Sequence, residues 1–373
     1  MPHPLPSMAG RILAGRYRVV RAIARGGMAE VWEGHDEVLA RAVAIKILHP
    51  HLSDDQDFLE RFRREAVAAA RLAHPGIVAT FDTGTDDGVA FIVMELVPGR
   101  TLRQAIEEGG PLAPAVAVRV AAEVADALDH AHRAGLVHRD VKPANILLVE
   151  HDGHTGPLLQ VKVADFGIAR QQAQGIRQLT ATGAVVGTAK YLAPEQVVGR
   201  TPDARTDVYA LGVVLYEMLC GRTPFQAETE LATALQHVRS DPTPPGQFRP
   251  GLPPSLEGAV LRAMAKDPDD RYGSAAEFRT ALLAVAGEDG SPAPGTPQVV
   301  RDGAQTDVMA DAEEVANAEA VPVDGAGAGA ASAGASSPLD GAVPHVVRDP
   351  TPPRGTAPVA RGASGGRSWV PLA

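Results

Sequence analysis

His138-Arg139-Asp140-Val141-Lys142-Pro143-Ala144-Asn145, followed twenty residues later by Asp165-Phe166-Gly167, gathers two carboxylates, an ammonium and a carboxamide into a short span. The span lies between two helical patterns. Pro114–Ala134 has helical spacing with no internal breaker, and Thr206–Leu219 is apolar enough to be a buried helix. The four polar groups are therefore expected on loops between buried elements.

Toward the N-terminus the pattern changes to strands. Tyr17–Ala24, Val31–Gly34 and Arg41–Leu48 are short β-rich runs separated by Gly or acidic turns. Ser53-Asp54-Asp55 offers an N-cap and an acidic first turn to a helix reaching about Leu72. Phe81–Thr83 and Val89–Met94 read as two more strands around Asp86-Asp87-Gly88. Strands first and helices later predict an α+β chain in two lobes. Between the first two strands stands Ile23-Ala24-Arg25-Gly26-Gly27-Met28-Ala29-Glu30-Val31-Trp32. A Gly-rich turn lets backbone N–H groups approach phosphate oxygens, although Gly-Gly between strands also suits a plain hairpin. Val43-Ala44-Ile45-Lys46 puts a lysine in an apolar run, which is costly unless its ammonium meets an anion. Glu65 on the following helix is a candidate partner, and a solvent-facing edge lysine is the alternative.

Phosphoryl transfer from a nucleotide requires a carboxylate that orients the accepting hydroxyl and cations that neutralise the phosphoryl oxygens. It also requires oxygen ligands for a divalent ion and a flexible cover over the phosphates. Asp140, Lys46 with Lys142, Asn145 with Asp165, and the loop at 24–29 meet these needs.

On these residues, over Arg16 to Val285, the chain resembles the protein-kinase superfamily, most closely the bacterial eukaryote-like (Hanks-type) Ser/Thr kinases of actinobacterial kind. The resemblance implies a small β-rich lobe with one key helix, a large mainly helical lobe, and ATP with Mg²⁺ (or Mn²⁺) as cofactors. Position by position, it implies that Lys46 holds the α/β-phosphates and pairs with Glu65. Asp140 is the catalytic base and Lys142 contacts the γ-phosphate, while Asn145 and Asp165 ligate the metal. Ile23, Ala24, Arg25, Gly26, Gly27, Met28, Ala29, Glu30 and Val31 form the lid. Ala44, the gatekeeper Met94, and the hinge residues Glu95 and Val97 surround the adenine. Ala193-Pro194-Glu195 closes the activation region, with Glu195 paired to Arg271 and Asp207 capping the catalytic-loop backbone. Arg139 implies a switch in which phosphate on Thr180 or Thr182 orders the segment, by autophosphorylation between two copies. Thr188 lines the acceptor site. One departure is visible: the family's lid reads Gly-x-Gly-x-x-Gly, and here Ala24 and Ala29 replace the outer glycines.

Composition narrows the alternatives. The 373 residues carry a formal charge of −10, which argues against nucleic-acid binding through phosphate neutralisation. The single cysteine, Cys220, excludes a disulfide framework and reads as a core residue. No apolar run is long enough to span a bilayer, and the first residues lack the blocks of a secretory signal, so a cytoplasmic protein is expected. Of 35 basic residues only five are lysines: Lys46, Lys142, Lys162, Lys190 and Lys266. Where one appears, the position has a need for it. The expected organisation is an extension at 1–15, a kinase domain at 16–285 (small lobe 16–95, large lobe 98–285), and a disordered acidic Ala/Gly/Pro-rich tail at 286–373. Thr296-Pro297 and Thr351-Pro352 in the tail are possible docking points for phosphothreonine-reading (forkhead-associated) domains, against a passive solvated tail. Two other functions compete: a pseudokinase that signals by conformation, for which only the two lid alanines speak, and a small-molecule kinase, against which the Ala193-Pro194-Glu195 segment speaks.

Overall fold

A computed structural model describes residues 8–53, 55–150, 159–166 and 189–288, all within the unit Met1–Val300. The first part is an antiparallel sheet of six strands. These are β1 (Ile12–Leu13), β2 (Tyr17–Arg25), β3 (Ala29–Asp36), β4 (Arg41–Leu48), β5 (Thr80–Asp86) and β6 (Val89–Glu95), in the order β1-β2-β3-β4-β6-β5. The β5–β6 connection is the expected Asp87-Gly88 turn, with φ of 47° and 77° at its two residues. Positive φ at both positions matches the twist of a two-residue hairpin.

Because strand side chains alternate, β4 serves two faces. Val43, Ile45 and Ile47 join Leu13, Tyr17, Val19, Trp32, Phe91 and Val93 in one core. On the other face Leu48 meets Phe62 and Ala66 of α2 (Gln56–Ala69), which follows the one-turn α1 (Pro50–Ser53). Ala44 and Lys46 share that second face, so the lysine is committed to the interior side of the sheet. The cap of α2 is Asp55, whose carboxylate accepts from Phe58 N at 3.0 Å, while Ser53 belongs to α1. The helix ends at Ala69, short of the expected Leu72. The sheet also begins before the expected domain start: β1 pairs with β2, and Met8 and Leu13 are buried.

After the hinge come β7 (Arg100–Thr101), α3 (Leu102–Gly109), α4 (Pro114–Arg133), β8 (Ile146–Glu150) and β9 (Leu159–Val163). Then follow α5 (Pro194–Val197), α6 (Ala204–Cys220), α7 (Glu230–Arg239), α8 (Pro254–Ala263) and α9 (Ala275–Glu288). Strands β7-β8-β9 form a small second sheet. Every residue of α6 from Thr206 to Leu219 is buried, in keeping with its largely apolar sequence. Asp203 caps its start by accepting from Arg205 N at 2.8 Å, and Gly221, at φ 69°, closes its end in the left-handed region. Helices α4, α8 and α9 pack around α6 in the largest core of the chain. Helix α9 extends to Glu288, three residues past the expected domain limit. The rest of the tail, Thr296 and Thr351 included, lies outside the described residues.

Candidate active site

Between the sheet and the helical part lies a cavity of about 640 Å³. Its apolar floor and roof are Ala44, Val78 and Met94, packed with Val31, Leu96, Val97, Leu147 and Ala164. Met94, Glu95, Leu96 and Val97 all line this apolar part of the cavity.

The lid follows from the β2–β3 hairpin. Gly26 N donates to Ala29 O at 2.9 Å, and a Cβ on Gly26 would meet that oxygen at 3.3 Å. His49 anchors the loop from below: its N donates to Met28 O at 2.9 Å and its Nε2 lies 3.0 Å from Gly26 O. Ala24 lies in β2 opposite Val31 and Ala29 begins β3 opposite Leu48. Neither is among the residues with positive φ, so the methyl groups that replace the family's glycines sit on unstrained backbone. Ile23, Arg25, Gly27 and Met28 also line the cavity.

Glu30 does not. Strand alternation turns it away from its neighbours Ala29 and Val31, and its carboxylate receives Trp32 Nε1 at 3.2 Å with Arg25 Nε at 3.5 Å. Among the described residues, those lining the cavity thus include both neighbours of Glu30 but not Glu30 itself. Glu65 lies on α2, and its side chain is outside the described residues. The partner seen on Lys46 is Asp165, whose Oδ1 accepts from Nζ at 2.7 Å. Lys46 is 6% exposed, so an anion within reach is what makes its burial tolerable.

The catalytic loop is assembled from beneath by Asp207, which is fully buried at the start of α6. Its Oδ2 accepts from His138 N at 2.8 Å and its Oδ1 from Arg139 N at 2.7 Å, while His132 Nε2 stands 2.7 Å from Oδ2. Arg139 sits at φ 65° and Asp165 at φ 61°, conformations that non-glycine residues hold only when their surroundings impose them. His138 links the two: Asp140 N donates to its Nδ1 at 3.2 Å, and its Nε2 lies 3.0 Å from Ala164 O. The loop thus presents Asp140 with Lys142 Nζ 2.8 Å from its Oδ2. Asn145 Nδ2 donates to Asp140 O at 2.9 Å and to Oδ2 at 3.2 Å.

Residues 17–280 match the family described as the protein kinase domain. The chain belongs to that family. The serine/threonine-protein kinase PknB of Mycolicibacterium smegmatis is 46% identical over 320 residues, 85% of this chain and 48% of that protein. A probable serine/threonine-protein kinase of Streptomyces coelicolor is 47% identical over 290 residues, 77% of this chain and 42% of that protein. Among solved structures, the PknI kinase domain of M. tuberculosis superposes with a TM-score of 0.60 at 33% identity, covering 76% of this chain and 100% of that one. The chain spans about half the length of the curated relatives it matches.

A protein kinase domain implies ATP and a divalent metal, and the residues of this cleft fit both. The apolar slot suits a purine ring. Asn145 Nδ2 donates to Asp140 and Asp165 Oδ1 accepts from Lys46, and among the described residues no hydrogen bond is seen to Asn145 Oδ1 or Asp165 Oδ2. Hard oxygen donors of this kind are what a small divalent cation takes.

Two ionic networks escaped the sequence reading. Lys162 on β9 bonds the hinge side chain Glu95, with Nζ 2.9 Å from Oε1 and 3.0 Å from Oε2, and Glu95 Oε2 also accepts from Ala79 N at 3.2 Å. The hinge acid therefore ties the two sheets together. The scarcity of lysine was the available signal. The second is Tyr191, whose hydroxyl donates to the buried Glu217 Oε2 at 2.6 Å, while Arg103 reaches both Tyr191 and Glu217, the latter at 2.9 Å. This network fixes the end of the segment that begins at Ala189. Thr180, Thr182 and Thr188 lie outside the described residues. Among those described, no helix is long and apolar enough to cross a membrane.

Proposed function

We propose that the chain is an ATP-dependent protein serine/threonine kinase that transfers the γ-phosphoryl of Mg-ATP to Ser and Thr hydroxyls of proteins, and that autophosphorylation at Thr180 and Thr182 activates it. One observation carries this reading: Asp140, Lys142 and Asn145 form a hydrogen-bonded set lining the same cavity as the Lys46–Asp165 pair.

In this function Asp140 orients the acceptor hydroxyl and takes its proton. Lys142, now 2.8 Å from Asp140, supplies positive charge where the transferred group passes. Lys46 holds the α/β-phosphates, with Glu65 as its partner when α2 swings in, and Asn145 with Asp165 holds the cation. Bound nucleotide supplies the phosphoryl group, and the protein's share is position and counter-charge. Magnesium is the preferred ion, because it is held by one or two protein ligands together with phosphates, and manganese substitutes. Arg139, whose buried Nε has no hydrogen-bond partner among the described residues, is the proposed dock for the activating phosphate. Thr188 is proposed to line the acceptor site.

The proposed kinase domain is 16–285, with lobes at 16–95 and 98–285. Its proposed partners are protein substrates, forkhead-associated domains reading phosphothreonine in the tail, and a second copy of the chain. Val38 and Leu39, exposed on the β3–β4 turn, support the last. A cytoplasmic setting completes the proposal.

The test is phosphosite mapping by mass spectrometry on wild type and Lys46→Met after incubation with ATP and Mg²⁺. Phosphate at Thr180 or Thr182 in the wild type only is expected. None in either protein, with nucleotide still bound, overturns the activity and leaves a pseudokinase.

A further inference from the structure

Gln196 on α5 joins the catalytic loop to the segment that ends at Ala193. Its Nε2 donates to Arg139 O at 2.9 Å, and its Oε1 accepts from Ala193 N at 3.0 Å. Both partners are backbone groups with fixed roles, a carbonyl that only accepts and an N–H that only donates. The carboxamide therefore has one orientation that satisfies both. Its neighbours hold it in place. Glu195 is buried and bonded to Arg271 and Thr206, and Val197 is buried with Ala189, Leu192 and Ala234.

The carbonyl that Gln196 holds lies at a constrained point of the chain. Arg139 sits at φ 65°, where a non-glycine residue stays only if its surroundings impose it. Its N–H is taken by Asp207 Oδ1 at 2.7 Å. The next peptide unit runs from Arg139 C=O to Asp140 N–H. Its oxygen is taken by Gln196, and its N–H donates to His138 Nδ1 at 3.2 Å. Asp140 Cα lies in the plane of this unit, so the tilt of the plane sets the direction in which the Asp140 side chain leaves the backbone. Because the same carboxamide binds Ala193, a shift of that segment reaches the peptide unit that precedes the base.

We infer that Gln196 is a positioning residue for Asp140: its carboxamide clamps the Arg139–Asp140 peptide unit to the backbone of Ala193 and so aims the base carboxylate. This rests on the kinase reading above. Among the described residues, those lining the nucleotide cavity do not include Gln196, so the effect falls on the transfer step and not on ATP binding.

The test compares Gln196→Glu with Gln196→Met in the full chain. Glutamate keeps the shape and an oxygen for Ala193 N, but it sets a second oxygen against Arg139 O in place of the donor. Methionine keeps the length and gives up both bonds. With a synthetic peptide of residues 175–190 as acceptor, or self-phosphorylation where that peptide is not taken, turnover should fall about ten- to 100-fold in both variants. The KM for ATP should stay within about two-fold. Amide hydrogen exchange resolved to single residues supplies a readout that needs no activity. The His138 and Arg139 amides, which donate to Asp207, should exchange about three- to ten-fold faster in both variants. The Ala193 amide should do so in Gln196→Met alone. Unchanged turnover in either variant, a rise in the ATP KM as large as the loss in turnover, or unchanged exchange at 138 and 139 overturns the inference. So does equal exchange of Ala193 in the two variants. If Gln196→Met does not fold, Gln196→Glu decides by turnover and by exchange at 138 and 139. If wild type phosphorylates neither the peptide nor itself, the kinase reading fails, and the exchange rates still decide whether Gln196 holds the loop.

Discussion

Replacing Arg271 by methionine tests how the large lobe is held together. The guanidinium is 2% exposed, and all five of its N–H groups are used. Nη1 donates to Glu195 Oε1 at 2.9 Å and Arg205 O at 3.0 Å, Nη2 to Glu195 Oε2 at 2.9 Å and Lys266 O at 3.0 Å, and Nε to Ala265 O at 2.8 Å. Methionine fills the stem but leaves three carbonyls without that donor and the buried Glu195 carboxylate with Thr206 Oγ1, at 2.7 Å, as its remaining side-chain donor. An exposed ion pair lost in this way costs under about 1 kcal/mol, whereas a buried carboxylate stripped of its cation costs about 3–5 kcal/mol. For a domain of about 280 residues that is a fall of roughly 5–9 °C in Tm. Arg271→Lys should fare little better, because a point charge cannot serve two carboxylate oxygens and three carbonyls at once. The double variant Arg271→Met, Glu195→Met should be more stable than Arg271→Met alone, since it removes the stranded charge.

Acid provides a second check. Burial by itself would raise the Glu195 carboxyl, but the Arg271 bonds and charge, with help from Thr206, outweigh it and hold the group below the ordinary glutamate value of 4.5. A carboxylate depressed in the folded state contributes stability above its unfolded pKa and loses it as the pH falls through the folded one. The gap between wild type and Arg271→Met should therefore be full at pH 7 and narrow below about pH 4.5. Thermal unfolding followed by circular dichroism measures both. A loss under about 1 kcal/mol, or one that adds independently with Glu195→Met, would refute the argument that this pair is a single buried unit.

Two further expectations are narrower. A Cβ on Gly212 of α6 would lie 2.9 Å from Ala263 Cβ and 3.1 Å from Met264 Cγ; the overpacking of Gly212→Ala, about 1–3 kcal/mol, should exceed its helix-propensity gain of about 1 kcal/mol and lower Tm, while a higher Tm would deny the close crossing of α6 and α8. Burial pushes the Cys220 thiol up to about 11, so at pH 8 only about one molecule in a thousand is thiolate, against about one in four for an ordinary thiol; labelling by a disulfide reagent should be at least about 100-fold slower in native than in unfolded protein, and equal rates would refute the assignment of Cys220 to the interior.

What was legible in the sequence divides along distance in the chain. Asp140, Lys142 and Asn145 lie within six residues, and their mutual hydrogen bonds follow from spacing and the demands of the chemistry. Strand β4 and helix α6 were legible for a similar reason, since burial leaves mostly apolar runs. Lys46 and Asp165 are 119 positions apart, and no local pattern pairs them; Glu65 was the nearer candidate. Glu30 shows what a motif read as a block does not resolve, since strand alternation sends its carboxylate to Trp32 and Arg25 while its neighbours line the cavity. The element ends were obscured by competing caps, as when Asp55 took the role offered equally by Ser53. The lysines show what more could have been read. In a chain that uses arginine for 30 of its 35 basic positions, Lys46 and Lys142 were recognised, but the same scarcity applied to Lys162 and Lys266. One locks the hinge acid from the neighbouring sheet, and the other lies over two aromatic rings beside His237. Lys46 and Lys162 each put a compact ammonium on a nearly buried stem, against the carboxylates of Asp165 and Glu95. A planar guanidinium with five donors would need more room and more acceptors than those sites provide, as the five bonds around Arg271 show by contrast. Residue choice within one charge class thus carries information about the shape of a buried site that periodicity and motif spacing do not.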